Sequence, residues 1–224
     1  MTLLTAESAG KALRTIATKL LEAGIITNEG FQALNDEGFK LGKLKKSTSW
    51  FMEVGRGRPV SFERITDKNG DPLNIVLSAA GIEVDQCDEK LPPFNRLDIS
   101  VAVTDLAGDP VCRWHVDKAN DGQAGPLFHL QYGGHLPGFR DRELPISEPR
   151  WCHPPMELGL LCEVIAANFF HAQWLRSLRD DAGWCQAVRD LQRLCFSAYA
   201  SRWTESLAVS DSTALTRMWN HQWR

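Results

Sequence analysis

Residues 96–132 read RLDISVAVTDLAGDPVCRWHVDKANDGQAGPLFHLQY, and the periodicity of this stretch decides the fold. In RLDISVAVT and in VCRWHVD apolar and polar side chains alternate with period two, the mark of a strand buried on one face. The six residues between them, 105–110, include Gly and Pro. Two alternating runs joined by so short a turn predict an antiparallel hairpin. After the polar loop KANDGQAG, the run PLFHLQY predicts a further strand. Alternation also sorts side chains by face. Cys112, Trp114 and Val116, with Phe128, Leu130 and Tyr132, form the apolar phase and are expected to face the core. Arg113, His115, Asp117, His129 and Gln131 then share the opposite face. The preceding strand places Asp98, Ser100 and Thr104 in its own polar phase.

Upstream, STSWFMEV, VSFERIT and LNIVLSAAGIEV are short runs rich in aromatic and β-branched residues, and TDKNGDP supplies strong turn chemistry. Nearer the start, Leu13, Ile16, Ala17, Leu20 and Leu21 recur at helical spacing. A second short helix is expected from Asn28, and FKLGKLKKS reads as a basic, solvated linker. Downstream of the strands comes a long loop with one short strand at ELPIS. Pro154 and Pro155 suit the first turn of a helix. MELGLLCEVIAANFFHAQWLRSL, apolar nearly all round, predicts a central buried helix. A further amphipathic helix carries Trp184, Val188, Leu191 and Tyr199. Strands cluster in the middle without βαβ alternation. The expected fold class is therefore α+β: an antiparallel β-meander with N-terminal and C-terminal helices packed on one face. Residues 1–46 form a helical segment and 47–224 the α+β domain. No internal repeat is apparent.

The chain has 224 residues, 43% of them hydrophobic and 24% charged, enough to bury a core without disulfides or metals as staples. Its net charge of −3 supplies no field to draw it onto nucleic acid. The first residues lack the charge and apolar run of a signal peptide, and no 18-residue apolar stretch exists. The six cysteines form no CxxC pair, so they are read as reduced, mostly buried thiols in a cytoplasmic protein. The phosphate-binding loop, the dinucleotide-binding glycine fingerprint, the GxSxG elbow and the HExxH helix are all missing.

Chemistry therefore concentrates on the polar face. Two imidazoles and a carboxylate, His115, Asp117 and His129, have the N and O donors of a divalent-metal site. They equally suit a general acid–base pair, or a wet face that binds a partner. Arg113 and Gln131 flank them. The loop after YGGH adds His135, Arg140 and Arg142, and arginines there could grip phosphate or carboxylate. A second candidate is Cys152, beside His153 and ahead of an expected helix start, where a thiolate nucleophile would be stabilised. The tail TRMWNHQWR, rich in Trp, is expected to dock on its own domain or to join two subunits.

An H-x-D strand in RWHVD, then PLFHLQYGGH, then the proline-led apolar helix of PPMELGLLCEVIAANFF, together resemble uncharacterised bacterial domains found in defence-island or toxin-like operons. The resemblance covers residues 112–170. It implies a bacterial cytoplasmic accessory protein of a multi-protein system, with a role in antiviral defence and a protein partner. The order of helices, meander and helices also resembles the ubiquitin-conjugating and RWD architecture, which would make Cys152 a thioester-forming residue. Three functions thus stay open. One is an accessory binding protein using the polar face and the 133–150 loop. Another is a metal-dependent, phosphodiesterase-like hydrolase using His115, Asp117 and His129. The last is a thiol enzyme using Cys152.

Overall fold

The computed structural model describes residues 3–88, 90–133 and 149–223. The chain begins with two antiparallel-packed helices, α1 (Ala6–Glu22) and α2 (Asn28–Lys43). Threonines start both: Thr5 Oγ1 accepts from Ser8 N at 3.2 Å and Thr27 Oγ1 from Gly30 N at 3.1 Å, each satisfying an otherwise orphaned N–H. The helices approach until a Cβ on Gly10 would lie 2.4 Å from the Gly38 carbonyl oxygen, so only glycine fits there. α2 extends into the stretch read as a basic linker. Leu41, inside that stretch, is buried in the core, and Lys40 and Lys43 occupy the last turn, where cations oppose the helix dipole.

Eight strands follow: β1 (Ser49–Val54), β2 (Val60–Ser61), β3 (Ile65–Thr66), β4 (Pro72–Asp85), β5 (Phe94–Thr104), β6 (Pro110–Lys118), β7 (Phe128–Tyr132) and β8 (Trp151–Cys152). They form one antiparallel sheet in the order β1-β4-β5-β6-β7-β8, with β2 and β3 also pairing with β4. VSFERIT, expected as one strand, is divided into β2 and β3. Phe62 between them is buried and bridges to Ile26.

Two turns of the sheet repeat each other. TDKNGDP (residues 66–72) and TDLAGDP (residues 104–110) share the pattern T-D-x-x-G-D-P. In one, Asp67 Oδ1 accepts from Asn69 N and Asp71 N at 2.8 and 2.9 Å. In the other, Asp105 Oδ1 accepts from Ala107 N and Asp109 N at 2.9 and 2.8 Å. Gly70 and Gly108 hold φ of 90° and 87°, a region closed to most side chains. Asn74 Nδ2 joins the turns by donating to the Asp105 carbonyl at 3.1 Å. At the scale of a turn, the chain does contain a repeat.

The remaining helices are α3 (Leu158–Phe169), α4 (His171–Ser177), α5 (Ala182–Leu207) and α6 (Ala214–Arg217). Pro154 and Pro155 lie before α3 rather than in its first turn. Glu157 caps it, Oε1 accepting from Leu160 N at 2.8 Å. The long helix expected over 156–178 bends by 112° between α3 and α4. Phe170 at the bend leaves helical geometry, is buried, and stacks on Phe62 with ring centroids 6.3 Å apart; anchoring that ring turns the chain. Ile75, Leu77, Ile99, Val101 and Val116 of the sheet share one core with Ile16 of α1, Ile165 of α3 and Leu191 of α5. This is the α+β architecture expected, with helices on the apolar face.

The tail folds back onto its own chain. Leu127 N donates to the Met218 carbonyl at 3.0 Å and Asn220 N to the Gly125 carbonyl at 2.9 Å. Trp223 is buried against Phe128 and Tyr199. Among the described residues no single helix is long and apolar enough to cross a membrane. The cysteines are less buried than expected: Cys162 and Cys195 are buried, Cys152 and Cys185 half-buried, Cys87 and Cys112 exposed.

Candidate metal centre on the polar face of the sheet

Register turns the polar phase of each strand into rows that cross the sheet. Gly81 of β4 pairs with Asp98 of β5, Asp98 with Asp117 of β6, and Asp117 with His129 of β7. The next row is Ser78, Ser100, His115 and Gln131, and Ala102 pairs with Arg113 beyond it. Directly paired residues of antiparallel strands project from the same face. The five polar residues Arg113, His115, Asp117, His129 and Gln131 thus share one region, joined by Asp98. Small residues, Gly81, Ser78, Ser100 and Ala102, occupy the β4–β5 side. Ser78 and Ser100 hydroxyls lie 3.0 Å apart.

This face is buried in part, while Asp98 and Arg96 on it are about half exposed. Arg113, His129 and Gln131 are 4%, 1% and 9% exposed. The apolar phase is less buried than alternation suggests at its margin: Tyr132 is 61% exposed and Cys112 is exposed. β7 and β8 lie at the border of the sheet.

Asp98, His115 and Asp117 each offer a ligand atom, and these atoms lie within 4.8 Å of one another. His115 Nδ1 stands 3.9 Å from Asp117 Oδ2. Of the set expected from sequence, His115 and Asp117 are present in this group, and Asp98 takes the place given to His129. His129 is across from Asp117 in register but outside the converging group. Burial, reinforced by the charge of Arg150, pushes its pKa down to about 4, so the ring is neutral at physiological pH. Its Nδ1 has no hydrogen-bond partner among the described residues. Burial first, then the charge of Asp98, pushes Asp117 up to about 7, against the opposing pull of the Ile99 N–H, Arg113 and Arg150. Its Oδ1 is buried without a hydrogen bond among the described residues.

The cluster opens into a cleft of about 890 Å³. Arg96, Lys118, Arg150 and the tail residues Asn220 and Trp223 line it. Arg150 Nη1 donates to the Ala124 carbonyl at 2.6 Å, and Asn220 Nδ2 to the Asn120 carbonyl at 2.9 Å. The tail thus braces the loop at the mouth of the cleft. His135, Arg140 and Arg142, most of the 133–150 loop and the strand expected at ELPIS lie outside the described residues.

Cys152 does not have the environment expected of it. It lies in β8, five residues before the Glu157 cap rather than at a helix start. Its Sγ lies 3.1 Å from the Tyr199 hydroxyl, and burial pushes the thiol pKa up despite that contact. Burial thus disfavours the thiolate form at this position. His153 Nδ1 faces the Pro154 carbonyl at 2.7 Å and is not engaged with the thiol.

Asp98, Arg96 and Arg150 are the residues that sequence reasoning passed over. Asp98 was visible as a polar-phase residue, but nothing local tied it to Asp117. Comparison with protein families, curated proteins and solved structures finds no match for this chain.

Proposed function

We propose that the polar sheet face binds a divalent cation through Asp98, His115 and Asp117, and that the protein is a metal-assisted hydrolase working in the adjoining cleft. The convergence of their ligand atoms within 4.8 Å carries this reading. Two carboxylates and one imidazole suit Mg²⁺, Mn²⁺ or Zn²⁺. Three protein ligands leave coordination positions for water and substrate, the arrangement of catalytic rather than structural sites. A cation so held would polarise a bound ester and activate water. The chain's own contribution is a rigid floor: Asp98 sits on β5 and His115 and Asp117 on its paired neighbour β6, so their spacing is set by the sheet. The cleft provides room for a small ester above that floor.

The test is titration of the full chain with Mn²⁺, followed by electron paramagnetic resonance and calorimetry. One site is expected, lost in Asp98→Asn and in His115→Gln and retained in His129→Gln. Hydrolysis of an aryl phosphodiester should need the same cation. Wild-type protein that binds no Mn²⁺, or Asp98→Asn binding it as tightly as wild type, would overturn the assignment.

A second reading has its own observation. Tyr132 and Trp151 are each 61% exposed and share the face of Leu130 at the sheet margin. Exposed neighbouring aromatics are enriched where proteins meet, which favours an accessory protein with a protein partner.

A further inference from the structure

Gly81 stands at the head of the row that carries Asp98 and Asp117, where the β4–β5 register shifts. A Cβ built on it would lie 2.7, 2.8 and 2.9 Å from Nε, Cζ and Cδ of Arg96. The Arg96 side chain therefore lies flat on the Gly81 backbone, across the polar face and into the border of the cleft. Its only ionic contact among the described residues is with Asp98, Nη2 to Oδ2 at 3.9 Å, too long for a hydrogen bond. Glu83, its cross-strand partner, instead accepts from Asn95 Nδ2 at 3.3 Å. A guanidinium has five donors in a fixed fork. Arg96 thus lies in space that Gly81 leaves open, and among the described residues only Asp98 approaches its charge, whereas Arg150 gives one nitrogen to the Ala124 carbonyl.

We propose that Arg96 is the anion-binding residue of the cleft and that the group it binds is a phosphate, with another phosphate oxygen on the cation. This rests on the cation site described above. A cation on Asp98 would compete with Arg96 for that carboxylate and leave the fork, still beside the site, for an anion. With the two carboxylates balanced by the cation, the basic side chains lining the cleft, Arg96 and Arg150 among them, still outnumber the remaining acids Asp85, Asp88 and Asp121. That excess fits a doubly charged phosphate better than a singly charged carboxylate, and the fork matches two phosphate oxygens at once. Gly81 acts as a positioning residue: the three atoms nearest an added Cβ all belong to Arg96, so an alanine there displaces the flexible head of that side chain.

The test uses the full chain, Mn²⁺ and inorganic phosphate, with acetate as the carboxylate control, read by calorimetry. Phosphate should bind only Mn²⁺-loaded wild type, and acetate at least tenfold more weakly. Arg96→Gln and Gly81→Ala should each weaken phosphate by about tenfold or more, the worth of a charge-assisted hydrogen bond, with Mn²⁺ affinity unchanged or higher. Arg96→Lys should recover part of the loss. Circular dichroism of each variant reports folding. If Mn²⁺ binds but both variants take phosphate as wild type does, or acetate binds as well as phosphate, the Arg96 assignment fails and the cation site stands. Wild type that binds no Mn²⁺ overturns both.

Discussion

Replacing Glu157 by glutamine should change how stability depends on pH, and by an amount the structure sets. Glu157 is completely buried at the start of α3. Its Oε1 accepts from Leu160 N at 2.8 Å, while Oε2 has no hydrogen bond among the described residues. Burial pushes the carboxyl up from 4.5 to about 7, although the Gly159 and Leu160 N–H groups oppose it. The buried thiols of Cys162 and Cys195 face it and are pushed well above their ordinary value, so neither titrates in this range. The folded state therefore keeps a proton that the unfolded chain releases between about pH 4.5 and 7. Folding stability falls as pH rises through that window and levels off above it. A difference of this size corresponds to about 3 kcal/mol at most. Glutamine is neutral throughout. It carries a pH-independent penalty for an unsatisfied amide but lacks the slope. Urea unfolding followed by tryptophan fluorescence, at intervals from pH 4.5 to 8.5, gives both stabilities. The variant should gain on wild type by up to about 3 kcal/mol between the ends of the series. A difference that stays flat with pH would refute the argument, because burial of a titrating carboxyl is its only source.

Trp223→Ala removes a ring packed on Phe128 and Tyr199 and should cost roughly 3 kcal/mol in urea unfolding; a loss under about 1 kcal/mol would show that the tail is not part of the core. Brief treatment with a thiol alkylator, read by mass spectrometry, should label exposed Cys87 ahead of Cys152 and leave buried Cys162 and Cys195 for last. Cys152 reacting first would support its role as a nucleophile. Ala substituted at Gly10, where the Gly38 carbonyl leaves 2.4 Å, should part α1 from α2 at a cost of about 1–3 kcal/mol, measured by the same unfolding. A variant as stable as wild type would show that the two helices can separate freely.

Much of the fold was legible because the strands obey a simple rule. Alternation in VCRWHVD and FHLQY assigned each polar side chain to the correct face. What it could not supply was register between strands. Counting from the turn, with Thr104 paired to Pro110, would set Asp98 opposite Val116. A bulge between Val103 and Thr104 moves the pairing by one, and only then does Asp98 meet Asp117. The convergence thus depends on one irregular residue, which no periodicity announces. The same holds for Arg96, whose position follows from a missing Cβ on a neighbouring strand. At the other end, Pro154 and Pro155 drew the expected helix start too early. The true cap is Glu157, an acid that usually stays in water and here is buried. The break at Phe170 was hidden because an apolar run looks alike whether it continues straight or turns to bury a ring.

The paired turns T-D-x-x-G-D-P carry a practical consequence. Each Asp ties its own loop through backbone N–H groups, and the two middle residues, Lys68–Asn69 in one and Leu106–Ala107 in the other, differ freely between them. The sheet has in effect two interchangeable clasps at the same end. Asp98 is six residues along β5 from Thr104, about 20 Å away at strand spacing. A fluorophore or a spin label attached at either clasp would therefore report on the cleft from a fixed distance without touching it.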